Sequence, residues 1–430
     1  MPGKAMKARL IRPLLLALPL LAGCANFRHL AADLKPFQDD YRISGIIENA
    51  DDYQVPVRVA VIEWDRADNK IYSGDRVDLA PGGAFVFSVK SPLNQHLGAF
   101  ADNNRDGRWQ KGEAAWMHEG PLAIDGDSRT TRVRGRLSTS NPVPPELVAA
   151  VDQLVAGGTV EETITHRGIR FAAGEIVDLD DPRFAATRGA DGLWTPATLA
   201  IRQGFGVYFL ERYDPSRIPV LFVHGAAGSP QDWRTAMEKI DRRRYQPWFY
   251  FYPSGGRLDT AATALNEGVK LLHSRYGFKR LDVVAHSMGG LVSRRFVVKN
   301  VIEDKQDYIR TFITFSTPWG GHEAAAMGVK WAPTAVPSWY DMEQGSGYLK
   351  HLFDRRLKGK VDYHLFYSHR AKRSPIMPAE NDGTVSVASQ LRPEAKADAA
   401  SVQGYDEDHV SILSARAPLL RAKQILDAER

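Results

Sequence analysis

Cysteine is almost missing from this 430-residue chain: there is one, Cys24. A lone thiol excludes an internal disulfide framework and a cysteine-based zinc site, and no H-x-x-x-H pattern offers another ligand set. A marked excess of one charge is missing too. The formal charge is +5, from 56 basic and 51 acidic residues, and the only basic run longer than two is Arg242-Arg243-Arg244. No nucleic-acid footprint follows from that balance. Long apolar runs are also lacking, since Leu14 to Leu21 falls well short of the roughly 20 residues that span a bilayer. The composition of a disordered chain is not present either: 43% hydrophobic and 25% charged residues are ordinary for globular proteins. At roughly 100–200 residues per domain, the length allows two or three.

What is present begins at the N-terminus. Lys4, Lys7, Arg9 and Arg12 form a positive region ahead of the short apolar run, which is the architecture of a signal peptide. Leu21-Ala22-Gly23-Cys24 then resembles the lipobox of bacterial lipoproteins. That resemblance implies a lipoprotein signal over residues 1–24, cut before Cys24, which becomes a lipid-bearing first residue; an ordinary signal peptide with an incidental cysteine is the alternative. Ala25, where an Asp would favour retention, implies the outer membrane by the same resemblance. Each buried CH₂ of an acyl chain contributes about 0.8 kcal/mol, so a multiply acylated Cys24 would be a firm anchor. Residues 25–40 read as a polar tether.

Residues 41–137 change character. Short alternating runs, such as Val55 to Val61, Ala84 to Val89 and Thr131 to Leu137, are separated by turn residues with no helical period between them. The pattern predicts a small antiparallel β-sandwich. Inside it, Asp102, Asn104, Asp106, Gly107 and Glu113 satisfy a calcium-loop pattern position by position. The flanks read as strand rather than helix, so two readings stand: a structural Ca²⁺ held by Asp102, Asn104, Asp106 and Glu113, or an Asx-rich hairpin bonded to its own backbone. Residues 138–199 read as a linker, opened by Pro142, Pro144 and Pro145, followed by a segment without clean periodicity. Gly206 to Leu210 looks like a strand that turns through Tyr213-Asp214-Pro215 into the next one, as a hairpin.

From about residue 200 to 430, strands alternate with helical patterns, which predicts an α/β fold with a mostly parallel, doubly wound sheet. Leu281 to Ala285 is an apolar run entering a turn of small residues around Ser287, and a helical pattern follows from Leu291. This is the strand–turn–helix context of a nucleophile elbow; Ala285 stands where glycine is usual. Upstream, Ile218 to Val223 leads directly into His224-Gly225-Ala226-Ala227-Gly228. That order resembles the oxyanion loop of lipases and related α/β-hydrolases, and the resemblance implies backbone N–H donors at Ala226 and Met288.

A serine nucleophile needs a base and an acid, which follow it in this fold class as Asp or Glu and then His. Asp382, in Glu380-Asn381-Asp382-Gly383-Thr384-Val385, is the expected acid, with Glu380 as its competitor. His409, ahead of a final amphipathic helix, is the expected base; His364 breaks the order and His286 points away from the elbow. Together with Ser316-Thr317-Pro318-Trp319-Gly320-Gly321, these motifs resemble the lipase-like serine hydrolases of the α/β-hydrolase superfamily, near the bacterial lipases and the GPI inositol-deacylase-like branch. Trp331, Trp339, Tyr340 and Met342 read either as a lid and acyl groove or as the core of an inserted helix pair. The resemblance implies a membrane-anchored esterase acting on carboxylic esters of lipids, with no catalytic cofactor. An acyltransferase using the same triad, or a binding module with a vestigial site, are the alternatives.

Overall fold

The computed structural model describes residues 25–35, 40–125, 129–140, 143–165, 168–371 and 378–428. Cys24 and the signal segment lie outside the described residues. The N-terminal strands are β1 (Tyr41–Ile47), β2 (Val57–Asp65), β3 (Lys70–Asp78), β4 (Ala84–Val89), β5 (Gln95–Ala101), β6 (Ala115–Met117) and β7 (Thr130–Gly135). Their alternation buries one face: Val57, Val59 and Val61 of β2 pack with Leu97 and Ala99 of β5 against Ile43, Phe85, Phe87 and Val133 of the facing layer. Two layers closing over one apolar core make the expected sandwich. It is mixed rather than strictly antiparallel, because β7 returns alongside β1 in the same direction.

The expected linker holds the seam of the molecule. After β8 (Ile164–Thr165) comes β9 (Ile169–Ile176), which pairs antiparallel with β4 and parallel with β10 (Phe205–Phe209). One sandwich layer is therefore continuous with the C-terminal sheet. Further strands follow: β11 (Ile218–Val223), β12 (Tyr245–Phe251), β13 (Leu281–His286), β14 (Ile309–Phe315), β15 (Asp362–Ser368) and β16 (Ser401–Tyr405). Among the described residues the joint sheet has eleven strands, in the order β16-β15-β14-β13-β11-β12-β10-β9-β4-β1-β7. The β10–β11 hairpin expected from the sequence does not form. β12 lies between the two, antiparallel to β10 and parallel to β11, because β11 is a central strand already flanked by β12 and β13.

From β11 to β16 the pairing is parallel, and helices cover both faces. The topology is that of the α/β-hydrolase fold. In such a sheet the carboxyl ends of the strands carry the site, and Ser287 follows β13 directly.

Residues 25–34 are helical rather than a free tether. Phe27, Leu30 and Leu34 fall at i, i+3 and i+7, one stripe of a helix, and Leu30 is fully buried. We call this helix α1. Its Asp33 carboxylate accepts the N–H groups of Ala197 (2.9 Å) and Thr198 (2.8 Å). These open helix α3 (Pro196–Gln203), which follows α2 (Ala186–Trp194). A carboxylate at a helix N-terminus satisfies donors that have no partner within the helix.

Candidate active site

The elbow places Ser287 at φ +53°, ψ −130°, a backbone region that side-chain-bearing residues avoid. The strain is held by the Ser287 N–H donating to the Phe315 carbonyl (2.8 Å) and by helix α5 (Met288–Val297) starting at once; α4 (Leu258–Tyr276) precedes it in the chain. The turn is too crowded for larger residues. A Cβ on Gly289 would lie 2.3 Å from the His224 carbonyl, and one on Gly225 would lie 2.9 Å from the Ser287 Cβ. Ala285, fully buried, is accommodated on the strand side.

His409 Nε2 lies 2.9 Å from Ser287 Oγ, and His409 Nδ1 lies 2.8 Å from Asp382 Oδ2. The carboxylate accepts the Nδ1 proton, so Nε2 presents its lone pair to the serine hydroxyl. Asp382 is fully buried and heavily hydrogen-bonded. Its Oδ1 accepts the N–H groups of Thr384 (3.0 Å) and Val385 (2.7 Å); its Oδ2 also accepts Ser368 Oγ (2.6 Å) and Gln390 Nε2 (3.2 Å). Burial opposes its ionisation, but the bonds from His409, Ser368 and Val385 outweigh it and hold the carboxyl below the usual range. The competitor Glu380 is exposed. His364 is occupied at Ser401 and Asp362, within the sheet. Glu407 and Asp408 brace their own loop, where Ser411 Oγ donates to Glu407 and Asp408 accepts the Ser411 N–H, while Asp406 pairs with Arg370 (3.5 Å).

The 224–228 loop is locked from within. His224 Nδ1 donates to the Gly225 carbonyl (2.8 Å), while its Nε2 accepts the Tyr252 N–H (3.3 Å). The Gly228 N–H also donates to the Gly225 carbonyl (3.2 Å), and the Ala227 N–H donates to the buried Ser254 Oγ (3.0 Å). In a trans peptide the Ala226 N–H points away from the Gly225 carbonyl, so it is turned out of the loop's own bonding. Met288 opens α5, where N–H groups lack intrahelical acceptors. The two expected oxyanion donors thus sit at the ends of β11 and β13, adjacent strands of the sheet.

Two histidines complete the surroundings without motif signals. His286 is buried, its ring tilted against that of His409 (centroids 4.8 Å apart), and it donates from Nε2 to the His409 carbonyl (2.8 Å). Burial, with the neighbouring His409, pushes its pKa down to about 3, so it stays neutral. His322 accepts the Ala324 N–H at Nδ1 (3.1 Å) and bonds the Thr384 backbone, tying the acid loop to the start of α6 (Glu323–Trp331). Of the residues read as lid or groove, Met342 is buried. Trp339, in α7 (Pro337–Met342), packs on Gly328 of α6; Trp331 and Tyr340 face outward.

The expected calcium ligands lie in the sandwich, and their oxygens are turned to the loop itself. Asp102 Oδ2 accepts Gly107 N–H (2.9 Å) and Arg58 Nε (2.7 Å). Glu113 accepts the N–H groups of Asn103 (2.7 Å) and Gln110 (2.8 Å), Asn104 accepts that of Asp106 (3.2 Å), and Asp106 that of Arg108 (2.8 Å). Asp102 Oδ1 is buried without a partner, but the guanidinium beside it supplies the positive charge a cation would bring. Among the described residues no group of three or more His, Cys, Asp or Glu converges on one point. As arranged, the loop has the hydrogen bonding of the second reading, an Asx-rich hairpin.

Residues 214–350, which include Ser287 and both expected oxyanion donors, match the family model described as "Putative serine esterase (DUF676)". The human "Lysosomal phospholipase A and acyltransferase" is 28% identical over 166 residues, 34% of this chain and 36% of that protein. The chain thus spans about a third of the length of the curated relative it matches. Among solved structures, Bacillus licheniformis lipase BlEst2 in mature form shares 20% identity (50% of this chain, 94% of that one, TM-score 0.39). Aspergillus fumigatus lipase B shares 13% (52% and 56%, TM-score 0.41).

Proposed function

We propose that this protein, whose fold is that of the α/β-hydrolases, is a serine esterase of the lipase and esterase kind that cleaves carboxylic esters through Ser287, His409 and Asp382. The observation that carries the reading is the unbroken relay from Asp382 through His409 to a serine held on a strained elbow. His409 Nε2 takes the Ser287 proton as Oγ attacks the ester carbonyl, and the imidazolium formed is stabilised by the buried Asp382 carboxylate. The oxyanion is received by the Ala226 and Met288 N–H groups, fixed before the reaction begins. His409 returns its proton to the leaving alkoxide. It then takes one from water, which cleaves the acyl-enzyme and frees Ser287.

Lipid esters are the substrates we favour. The human relative is named for phospholipase A activity, and a lipid-bearing Cys24 would hold the protein at a bacterial envelope membrane, by the Ala25 rule the outer one. The same name supports a second outcome, in which an alcohol rather than water accepts the acyl group. Fluorophosphonate labelling tests the shared core: the wild-type chain is expected to label and Ser287→Ala not to. Equal labelling of both, or none of either, would overturn the esterase reading. A defined phospholipid supplied with and without an alcohol acceptor then separates free acid from transferred ester.

A further inference from the structure

Helix α1, described from residue 25, does not hang free; it is built into the face beside the active site. Phe27 of α1 meets Trp194 of α2 and Trp339 of α7 edge to face, at centroid distances of 5.4 and 6.1 Å, and Trp194 and Trp339 meet each other at 5.8 Å. Three rings from three elements therefore close one cluster. Asp33 pins the other end of α1 to α3 through the two short bonds described above.

That cluster adjoins both the site and an exposed apolar face. A Cβ on Gly189 of α2 would lie 2.4 Å from the Ala227 carbonyl, so α2 leans directly on the loop that carries Ala226. On the other side, Trp339 packs on Gly328 of α6. Met327 (45% exposed), Trp331 (72%) and Tyr340 (47%) project outward from α6 and α7. Met327 and Trp331 are four residues apart, on one side of α6. Lys330 sits over the Trp331 ring, and Arg28 and His29 are exposed on α1. Exposed aromatics with Lys and Arg side chains among them, here Lys330 and Arg28, are the composition that enters the headgroup region of an anionic bilayer.

Covalent reach supplies the geometry. Cys24 precedes Phe27 by three residues, which at about 3.6 Å each cannot carry it more than about 11 Å away. We infer that α1 is a strut that sets a lipid-bearing Cys24 beside the α6–α7 face, so that Met327, Trp331 and Tyr340 rest on an anionic phospholipid bilayer with the Ser287 site at its surface. This orientation rests on the lipid-anchor reading and adds to it that the anchor has no freedom to swing.

The test uses the full-length protein, purified with its native N-terminus in vesicles of phosphatidylethanolamine and phosphatidylglycerol. Acylation consumes the Cys24 thiol and the chain has no other, so Trp331→Cys, Tyr72→Cys and Leu420→Cys each carry one labelling site for an environment-sensitive fluorophore. Blue-shifted emission, quenched by spin-labelled lipid, is expected at 331 and not at 72 or 420. Equal behaviour at all three sites in a demonstrably acylated protein would overturn the orientation while leaving the anchor standing. An unacylated N-terminal peptide by mass spectrometry would instead remove the anchor. Phe27→Ser with Asp33→Ala, added to the 331 probe, is expected to abolish the blue shift without releasing the protein from vesicles; an unchanged shift would refute the strut. Trp331→Asp is expected to cut hydrolysis of vesicle phospholipid about tenfold or more, as loss of one buried aromatic implies, with hydrolysis of a water-soluble ester unchanged. Equal loss on both substrates would refute the bilayer contact.

Discussion

Ser287 pays for its position with backbone strain, and that strain is separable from its chemistry. Ser287→Ala and Ser287→Gly should both abolish ester hydrolysis, since each removes the nucleophile. They should differ in stability: glycine adopts φ +53° without penalty, so the Gly variant is expected to be more stable than the Ala variant by about 1 kcal/mol. Paired urea titrations check this, and a less stable Gly variant would show that the elbow is not strained. The triad residues were legible because their order and turn context are chemical requirements. The residues that hold them were not. Ser368 and Gln390 bind Asp382 from β15 and from a short helix, and His286 braces His409 across 123 residues of chain. No spacing rule connects such partners, because only the closed sheet makes them neighbours.

Among elements, α2 matters more than its place in an apparent linker suggests. Gly189 faces the Ala227 and Gly228 carbonyls at would-be Cβ distances of 2.4 and 2.6 Å, and backbone there cannot turn aside as a side chain could. Gly189→Ala should push the oxyanion loop and lower kcat by about 10²-fold, the effect of losing one oxyanion donor, with a smaller change in KM. Steady-state kinetics on a soluble ester measures both; an unaffected kcat would mean that the loop is not positioned by α2. The 102–113 hairpin is a different case, an element whose sequence motif and hydrogen bonding point to different readings. Millimolar Ca²⁺ or a chelator should leave Tm unchanged, because Arg58 already supplies a positive charge at Asp102 and backbone N–H groups occupy carboxylate oxygens of Asp102, Asp106 and Glu113. A calcium-dependent rise in Tm by calorimetry would restore the metal reading.

At the scale of the whole molecule, two buried histidines couple stability to pH. Burial holds His224 and His286 down to about 4 and about 3, against 6.5 for a free imidazole. Below 6.5 the unfolded chain binds protons that the folded one refuses, so stability is full above that pH and falls as the pH drops toward 4 and 3. Each group steepens the fall by up to about 1.4 kcal/mol per pH unit. Urea midpoints at pH 7.5 and 5 should show the loss, and His286→Gln, which keeps a donor for the His409 carbonyl, should reduce it. A pH-independent midpoint would mean that these imidazoles protonate within the fold. The shared sheet sets the other large-scale property: β9 joins sandwich and hydrolase halves through backbone ladders on both of its edges.

Two kinds of information separate along these lines. The alternation of strands and helices after residue 200, the elbow, the acid loop and the late histidine follow from sequence alone, since turn sterics and hydrophobic period are local. The stripe of Phe27, Leu30 and Leu34 is missed in a segment that reads as a polar tether, because three apolar residues make a helix only when packing gives them a face to bury. What the tertiary structure decided is everything that depends on long-range pairing. It made Ile169 to Ile176, whose Ala172-Ala173-Gly174 centre carries no clear period, the strand that unites the two halves. It turned the calcium-like carboxylates onto their own backbone, and it set the first helix after Cys24 against the rings beside the active site. Burial and hydrogen-bond satisfaction are properties of the closed molecule, and no window of sequence contains them.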